Sequence, residues 1–233
     1  MKTVILCGGK GTRLAPFTYV LPKPMMPIGD KAILEILLQQ LRRYGFTDIV
    51  LAVGYLASLM KAYFKDGQQY ELNITYSNEL EPLGTAGPLS LIPGLDETFL
   101  VCNGDVLTTL NFYDFVNFHK EQGGILTIAM HRRQVHIDLG IIEQDDGDNI
   151  ITGYVEKPNL DYKVSMGLYL LEPRALEYIP QKQYFDFPDL VKLLLSKGEK
   201  VVGYPFDGYW RDLGNREDYE QACKDFEIMR SEF

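Results

Sequence analysis

The chain has 233 residues, 46% of them hydrophobic and 24% charged, ordinary globular proportions that exclude disorder and suffice for a substantial core. A formal charge of −9 argues against nucleic-acid binding, which needs a basic surface, and no apolar run approaches the roughly 20 residues that span a bilayer. Cys7, Cys102 and Cys223 cannot all pair and show no zinc spacing; with no room for a signal peptide before the first strand, a cytoplasmic location is expected.

Thr3-Val4-Ile5-Leu6 reads as a buried strand starting almost at the N-terminus. The loop Gly8-Gly9-Lys10-Gly11-Thr12-Arg13-Leu14 follows it, and its glycines let backbone N–H groups approach a ligand with no Cβ in the way. Lys10, Arg13 and, within Pro22-Lys23-Pro24, Lys23 add positive charge. Free N–H groups and cations after a strand suit a polyphosphate. The loop lacks the Gly-Lys-Ser/Thr ending of a Walker A motif, and Leu14 stands where a dinucleotide fingerprint needs glycine or alanine. An ordinary βα turn with solvated cations is the other reading of Gly-Gly-x-Gly, and the Thr-Arg-Leu and Pro-Lys-Pro continuation weighs against it.

Ile33, Leu34, Leu37, Leu38 and Leu41 recur at helical spacing and stop before Gly45. Asp48 to Val53 reads as a strand, Leu59 and Tyr63 as part of a helix, and Leu72 to Tyr76 and Thr98 to Cys102 as two further strands. This alternation predicts an α/β fold, a Rossmann-like mixed but mostly parallel sheet with helices on both faces, whose ligands gather at the carboxyl ends of the strands. The second half is strand-rich, with segments at Ile125 to Met130, Gly140 to Glu143, Ile150 to Glu156 and Val164 to Leu171, a turn at Asp146-Gly147-Asp148, and helices at Asp186 to Leu195 and Glu217 to Met229. No linker or repeat divides the chain, so residues 1–233 read as one domain.

With the glycine loop and Pro-Lys-Pro in view, the chain resembles the sugar-1-phosphate nucleotidyltransferases. The resemblance continues through Leu83-Gly84-Thr85-Ala86-Gly87, Asn103-Gly104-Asp105, Glu156-Lys157-Pro158 and Trp210-Arg211-Asp212-Leu213-Gly214, in the family's order. It implies a GT-A-like fold with a nucleotide-binding half near 1–110 and a sugar-phosphate half near 111–233. The C-terminal β-helix of some relatives is not expected, and homo-oligomers are common in the family.

The implied reaction joins a nucleoside triphosphate to a sugar 1-phosphate, releasing pyrophosphate. A phosphate oxygen of the sugar 1-phosphate attacks the α-phosphorus; being already anionic, it needs no general base, so catalysis rests on alignment and charge neutralisation. The resemblance assigns catalytic roles to Arg13, Lys23, Asp105, Lys157 and Asp212, with Asp105 and Asp212 holding Mg²⁺. Asp105 by itself reads equally as a turn aspartate satisfying local amides. The nucleotide is expected against Leu6, Gly8, Gly9, Gly11, Thr12, Glu79, Gly84, Thr85 and Gly104, and the sugar phosphate against Gly140, Glu156, Lys157 and Gly167. Trp210 reads as a core anchor whose packing also holds Asp212.

Glu79 can accept from the N–H edge of guanine, and Leu83 to Pro88 is similar to mannose-1-phosphate guanylyltransferases; both point to GTP and mannose 1-phosphate. An exposed loop glutamate without a ligand is the alternative for Glu79. Met166 stands where many relatives carry a sugar-binding asparagine, which leaves glucose 1-phosphate thymidylyl- or uridylyltransfer open. A non-catalytic nucleotide-sugar-binding regulator is the reading from another class. His119 is expected to be a packing or surface residue, and His131-Arg132-Arg133 forms a basic knot beside a strand. No motif gives the histidines a role.

Overall fold

The computed structural model describes residues 1–145, 147 and 149–233. Asp146 and Asp148 of the expected turn lie outside the described residues. In chain order the strands are β1 (Lys2–Cys7), β2 (Pro27–Ile28), β3 (Lys31–Ala32), β4 (Asp48–Val53), β5 (Asn73–Asn78), β6 (Phe99–Asn103), β7 (Val106–Thr108), β8 (Leu126–His136), β9 (Ile141–Gln144), β10 (Ile151–Val155), β11 (Asn159–Leu171), β12 (Val201–Phe206) and β13 (Trp210–Asp212). The helices are α1 (Ile33–Arg43), α2 (Ala57–Phe64), α3 (Phe112–Gln122), α4 (Phe187–Ser196) and α5 (Arg216–Met229).

Seven strands form the central sheet in the order β12-β8-β11-β6-β1-β4-β5. β5, β4, β1 and β6 run parallel to one another, as do β12 and β8, while β11 lies antiparallel between β6 and β8. The expected mixed, mostly parallel sheet is therefore present. Its central strands are apolar runs because both faces are covered. Ile5, Leu51 and Cys102 pack on one face with Leu34 and Leu37 of α1, Met60 and Phe64 of α2, and Phe112 and Phe115 of α3. Val4, Val50 and Val101 face the other way, toward Phe187, Leu190 and Leu194 of α4. The Tyr169 and Phe187 rings stack there at 4.0 Å. A third cluster docks α5 through Ala222 and Phe226 onto Met26, Ile28, Ile33, Leu107 and Leu213.

Most boundaries fall within a residue or two of the sequence reading. Helix α1 ends before Gly45, whose φ of 81° closes the turn as its amide reaches the Arg42 carbonyl at 2.9 Å. Two strands outrun their expected ends. β8 continues through Arg132–His136 and β11 begins at Asn159, and these extensions pair from Asn159↔His136 to Ser165↔Met130. They are polar and exposed for most of their length. The β8 extension has one apolar residue, Val135, and the Leu160, Tyr162 and Val164 alternation of β11 is short and not buried in the core, so the apolar pattern marks these extensions only weakly. β12 is an edge strand containing Gly203 and Pro205, residues that argue against a strand on sequence alone.

Candidate active site

Because β1, β4, β5 and β6 are parallel, the segments leaving their carboxyl ends share one rim of the sheet. Gly8 follows β1, Glu79 follows β5, and Gly104 and Asp105 follow β6. Gly104 donates its amide to the Leu6 carbonyl at 3.0 Å, so the two loops run side by side. A Cβ on Gly104 would come within 2.7 Å of Cys7 Sγ, inside a packed region. Only glycine fits there without displacement.

A cavity of about 460 Å³ opens at this rim. Leu6, Gly8, Gly9, Gly11, Thr12 and Arg13 line it from the first loop, and Lys23, Glu79, Gly84, Thr85 and Asp105 from other segments. Gly11 has a φ of 62°, and its carbonyl takes the Thr18 hydroxyl at 2.9 Å and the Leu14 amide at 2.9 Å. Among the described residues, no amide from Gly8 to Gly11 donates to a backbone carbonyl. The loop thus spends its carbonyls on its own fold and keeps N–H groups for an acceptor from outside.

Asp212 reaches the same rim by a different route. β13 pairs antiparallel with β7, setting Asp212 opposite Val106, and the Leu213 amide donates to the Asp105 carbonyl at 3.2 Å. The Lys23 ammonium contacts the Asp105 carboxylate and lies 3.7 Å from that of Asp212, so two acids from distant sequence converge on one cation. Burial, and then the Asp105 charge, push the Asp212 carboxyl above its ordinary range, against the opposing pull of Lys23 and Arg13. Bare Gly214 leaves room for the Arg13 guanidinium and Asp212 to approach, each within 3.2 Å of where a Cβ would stand. Trp210 fixes the strand, its indole N–H donating to the Met166 carbonyl at 3.0 Å. Among the described residues no three His, Cys, Asp or Glu gather as a metal cluster. Two carboxylates with open positions suit a hard cation completed by phosphate and water oxygens.

Glu79 lies over Gly8, where a Cβ would be 2.4 Å from Oε1, while Oε2 accepts the Leu83 amide at 3.0 Å. Burial raises its carboxyl above the ordinary range, against the Leu83 hydrogen bond. Gly104, Gly140, Glu156, Lys157, Gly167 and Asp212 do not line the cavity itself. Gly140, Glu156 and Lys157 flank the β9–β10 ribbon. There the Tyr154 hydroxyl donates to Glu156 at 2.8 Å, the Tyr154 ring covers Gly140, and Lys157 pairs with Asp138 at 2.6 Å. Gly167, at a φ of 72°, packs against the Asn103 side chain, which does face the cavity.

Tyr184 and Asp186 also line the cavity, although the sequence pattern marks Asp186 only as a helix start and gives Tyr184 no signal. They arrive because segment 183–187 crosses loop 83–87. The Ala86 and Gly87 amides donate to the Phe185 carbonyl at 2.9 and 2.8 Å, and the Phe185 amide to that of Leu83 at 2.9 Å. No local spacing signals a contact about a hundred residues apart. His119 proves to be a packed residue, its ring nitrogens 2.7 Å from Thr127 Oγ1 and 2.9 Å from Glu172. His131, Arg132 and Arg133 lie within β8 and share a smaller cavity, about 230 Å³, with Trp210, Arg211 and Asp212.

The sheet order and the loops on its carboxyl rim define the class: a Rossmann-like α/β fold. The sequence profile of the nucleotidyl transferase family matches residues 2–228, and the chain belongs to that family. It is 37% identical over 244 residues to a UTP–glucose-1-phosphate uridylyltransferase of Synechocystis sp., covering 96% of this chain and 63% of the relative. It is 36% identical over 227 residues to a mannose-1-phosphate guanyltransferase of Debaryomyces hansenii, covering 94% and 62%. The chain therefore spans just under two thirds of the length of these curated relatives. The crystal structure of HddC from Yersinia pseudotuberculosis, 27% identical, superposes with a TM-score of 0.75 over 97% of this chain and 99% of that one. The same protein complexed with GMP-PN gives 0.72 over the same shares.

Proposed function

We propose that the chain is a sugar-1-phosphate nucleotidyltransferase, acting as one unit with its nucleotide half near 1–110 and its sugar-phosphate half near 111–233. The observation that carries this reading is the convergence of a glycine loop with unspent amides, Arg13, and the Lys23, Asp105 and Asp212 group on one rim. In this reading the Gly8–Gly11 amides and Arg13 hold the departing phosphates. Lys23 neutralises charge near the α-phosphate, and Glu156 and Lys157 take the sugar and its phosphate from the β9–β10 ribbon. Asp105 and Asp212 hold Mg²⁺, which supplies charge neutralisation between the two anionic substrates when bound. The remaining contributions are alignment and charge neutralisation by these side chains and amides, in a site that needs no proton acceptor.

GTP with mannose 1-phosphate is the proposed pair. Glu79 Oε1 is the acceptor left over once Oε2 has taken the Leu83 amide, which suits the N–H edge of guanine. Uridylyl transfer to glucose 1-phosphate is the second reading, favoured by the Synechocystis relative. A cytoplasmic location is proposed as well, supported by the three free cysteines. No helix among the described residues is long and apolar enough to cross a membrane.

Pyrophosphate release across a panel of nucleoside triphosphates and sugar 1-phosphates tests the proposal. One pair is expected to dominate, and no release with any pair would refute it. Arg13→Ala and Asp105→Ala should each melt near the unmodified protein yet lose roughly 10²–10³-fold in turnover, the cost of one transition-state contact of about 3–4 kcal/mol. Near-normal turnover would remove that residue from the mechanism.

A further inference from the structure

Asp186 occupies the position just before α4, where an aspartate ordinarily caps first-turn amides, yet its side chain makes no such bond. Its carboxylate turns to the cavity wall instead. Oδ1 accepts the Thr85 amide at 2.9 Å and the Thr85 hydroxyl at 3.0 Å, and Oδ2 accepts the Tyr184 hydroxyl at 2.7 Å. The Thr85 hydroxyl in turn accepts the Phe187 amide at 2.8 Å, taking over the capping that Asp186 leaves undone. Gly84, at a φ of 78°, permits this approach, since a Cβ there would lie 2.8 Å from Asp186 Oδ1. The result is a carboxylate fixed in place on a ligand-sized cavity.

A carboxylate offers about four acceptor positions, so three donors leave one open, on Oδ2. Burial acts to raise the Asp186 carboxyl, but the Tyr184 and Thr85 hydrogen bonds outweigh it and hold the group below its usual range. It is therefore an anion that can only accept. Phosphate oxygens, themselves anionic acceptors, cannot be its partner. On a nucleoside triphosphate the donors are the N–H groups of the base and the hydroxyls of the ribose. If the base N–H edge meets Glu79, the ribose hydroxyls remain.

Building on the proposed function, we propose that Asp186 accepts a hydrogen bond from a ribose hydroxyl and so selects ribonucleotides over their deoxy counterparts. Asp186→Asn is the informative variant. Its carbonyl still accepts from Thr85, and its amide can donate to the Tyr184 oxygen, but the free acceptor is gone. The test is kcat/KM, by pyrophosphate release, for GTP, 2′-deoxy-GTP and 3′-deoxy-GTP with mannose 1-phosphate, and for UTP and 2′-deoxy-UTP with glucose 1-phosphate. The unmodified protein should prefer the ribonucleotide over one deoxy analogue by about tenfold or more, as for a hydrogen bond to a charged group. In Asp186→Asn the preference should collapse to within about twofold, chiefly through a higher KM for the ribonucleotide. Each ratio is read on one preparation, so a partly unfolded variant does not distort it. Turnover without ribose preference in the unmodified protein, or a preference that survives in Asp186→Asn, would overturn this inference alone. Absence of turnover with every pair would take the proposed activity and this inference down together.

Discussion

Cys7 and Cys102 sit in neighbouring strands directly beneath the rim that carries the site, both almost completely enclosed. Burial pushes both thiols up, and at Cys7 the nearby Asp105 charge adds to it. A neutral, enclosed thiol is a poor nucleophile. Cys223, on α5, is only partly covered. A disulfide reagent that reports free thiols should therefore titrate one cysteine in the native protein and all three in denaturant. Rapid native modification of Cys7 would show that the floor of the site opens far more readily than its packing indicates.

The β11 strand depends on a single irregularity. Its register against β8 shifts between Ser165 and Tyr169, where Gly167 adopts a φ of 72° and lies against Asn103. Gly167→Ala would force a side chain into a left-handed conformation and place a Cβ 2.4 Å from Asn103 Nδ2. A loss of about 1–3 kcal/mol in unfolding free energy is expected, read from urea midpoints at unchanged slope. The same strand marks what the amino-acid pattern can and cannot convey. Val164–Leu171 is legible because most of its residues meet the core, whereas Asn159–Lys163 is held by pairing to β8, and its two apolar residues, Leu160 and Tyr162, are not buried. The glycine loop and Asp105 are likewise legible, since each directly follows a buried parallel strand. Asp186 is not, because its position on the cavity is set by hydrogen bonds to a loop about a hundred residues earlier. The reach of β13 back to β7, which brings Asp212 beside Lys23, becomes visible only through the order of motifs.

The two halves of the chain are joined over the cavity as well as through the sheet. Thr85 belongs to the early segment and α4 to the late one, and a single hydroxyl bridges them by donating to Asp186 and accepting from Phe187. Thr85→Ala removes both bonds at once and should cost about 1–2 kcal/mol, since the first turn of α4 also loses its cap. Local opening would follow, so amide exchange of residues 83–87 and 185–187 should accelerate together while the β1 and β4 amides stay protected. Acceleration on one side only would mean that the hydroxyl does not couple the segments beyond the backbone hydrogen bonds they already share.

The chain contains a single tryptophan, and that indole is pinned to Met166, lies 5.5 Å from the His131 ring and stands two residues from Asp212. Emission excited at the red edge of the indole absorption band, where the 15 tyrosines hardly absorb, therefore originates at one address, beside the acid pair. Arrivals there can be followed optically without attaching any dye.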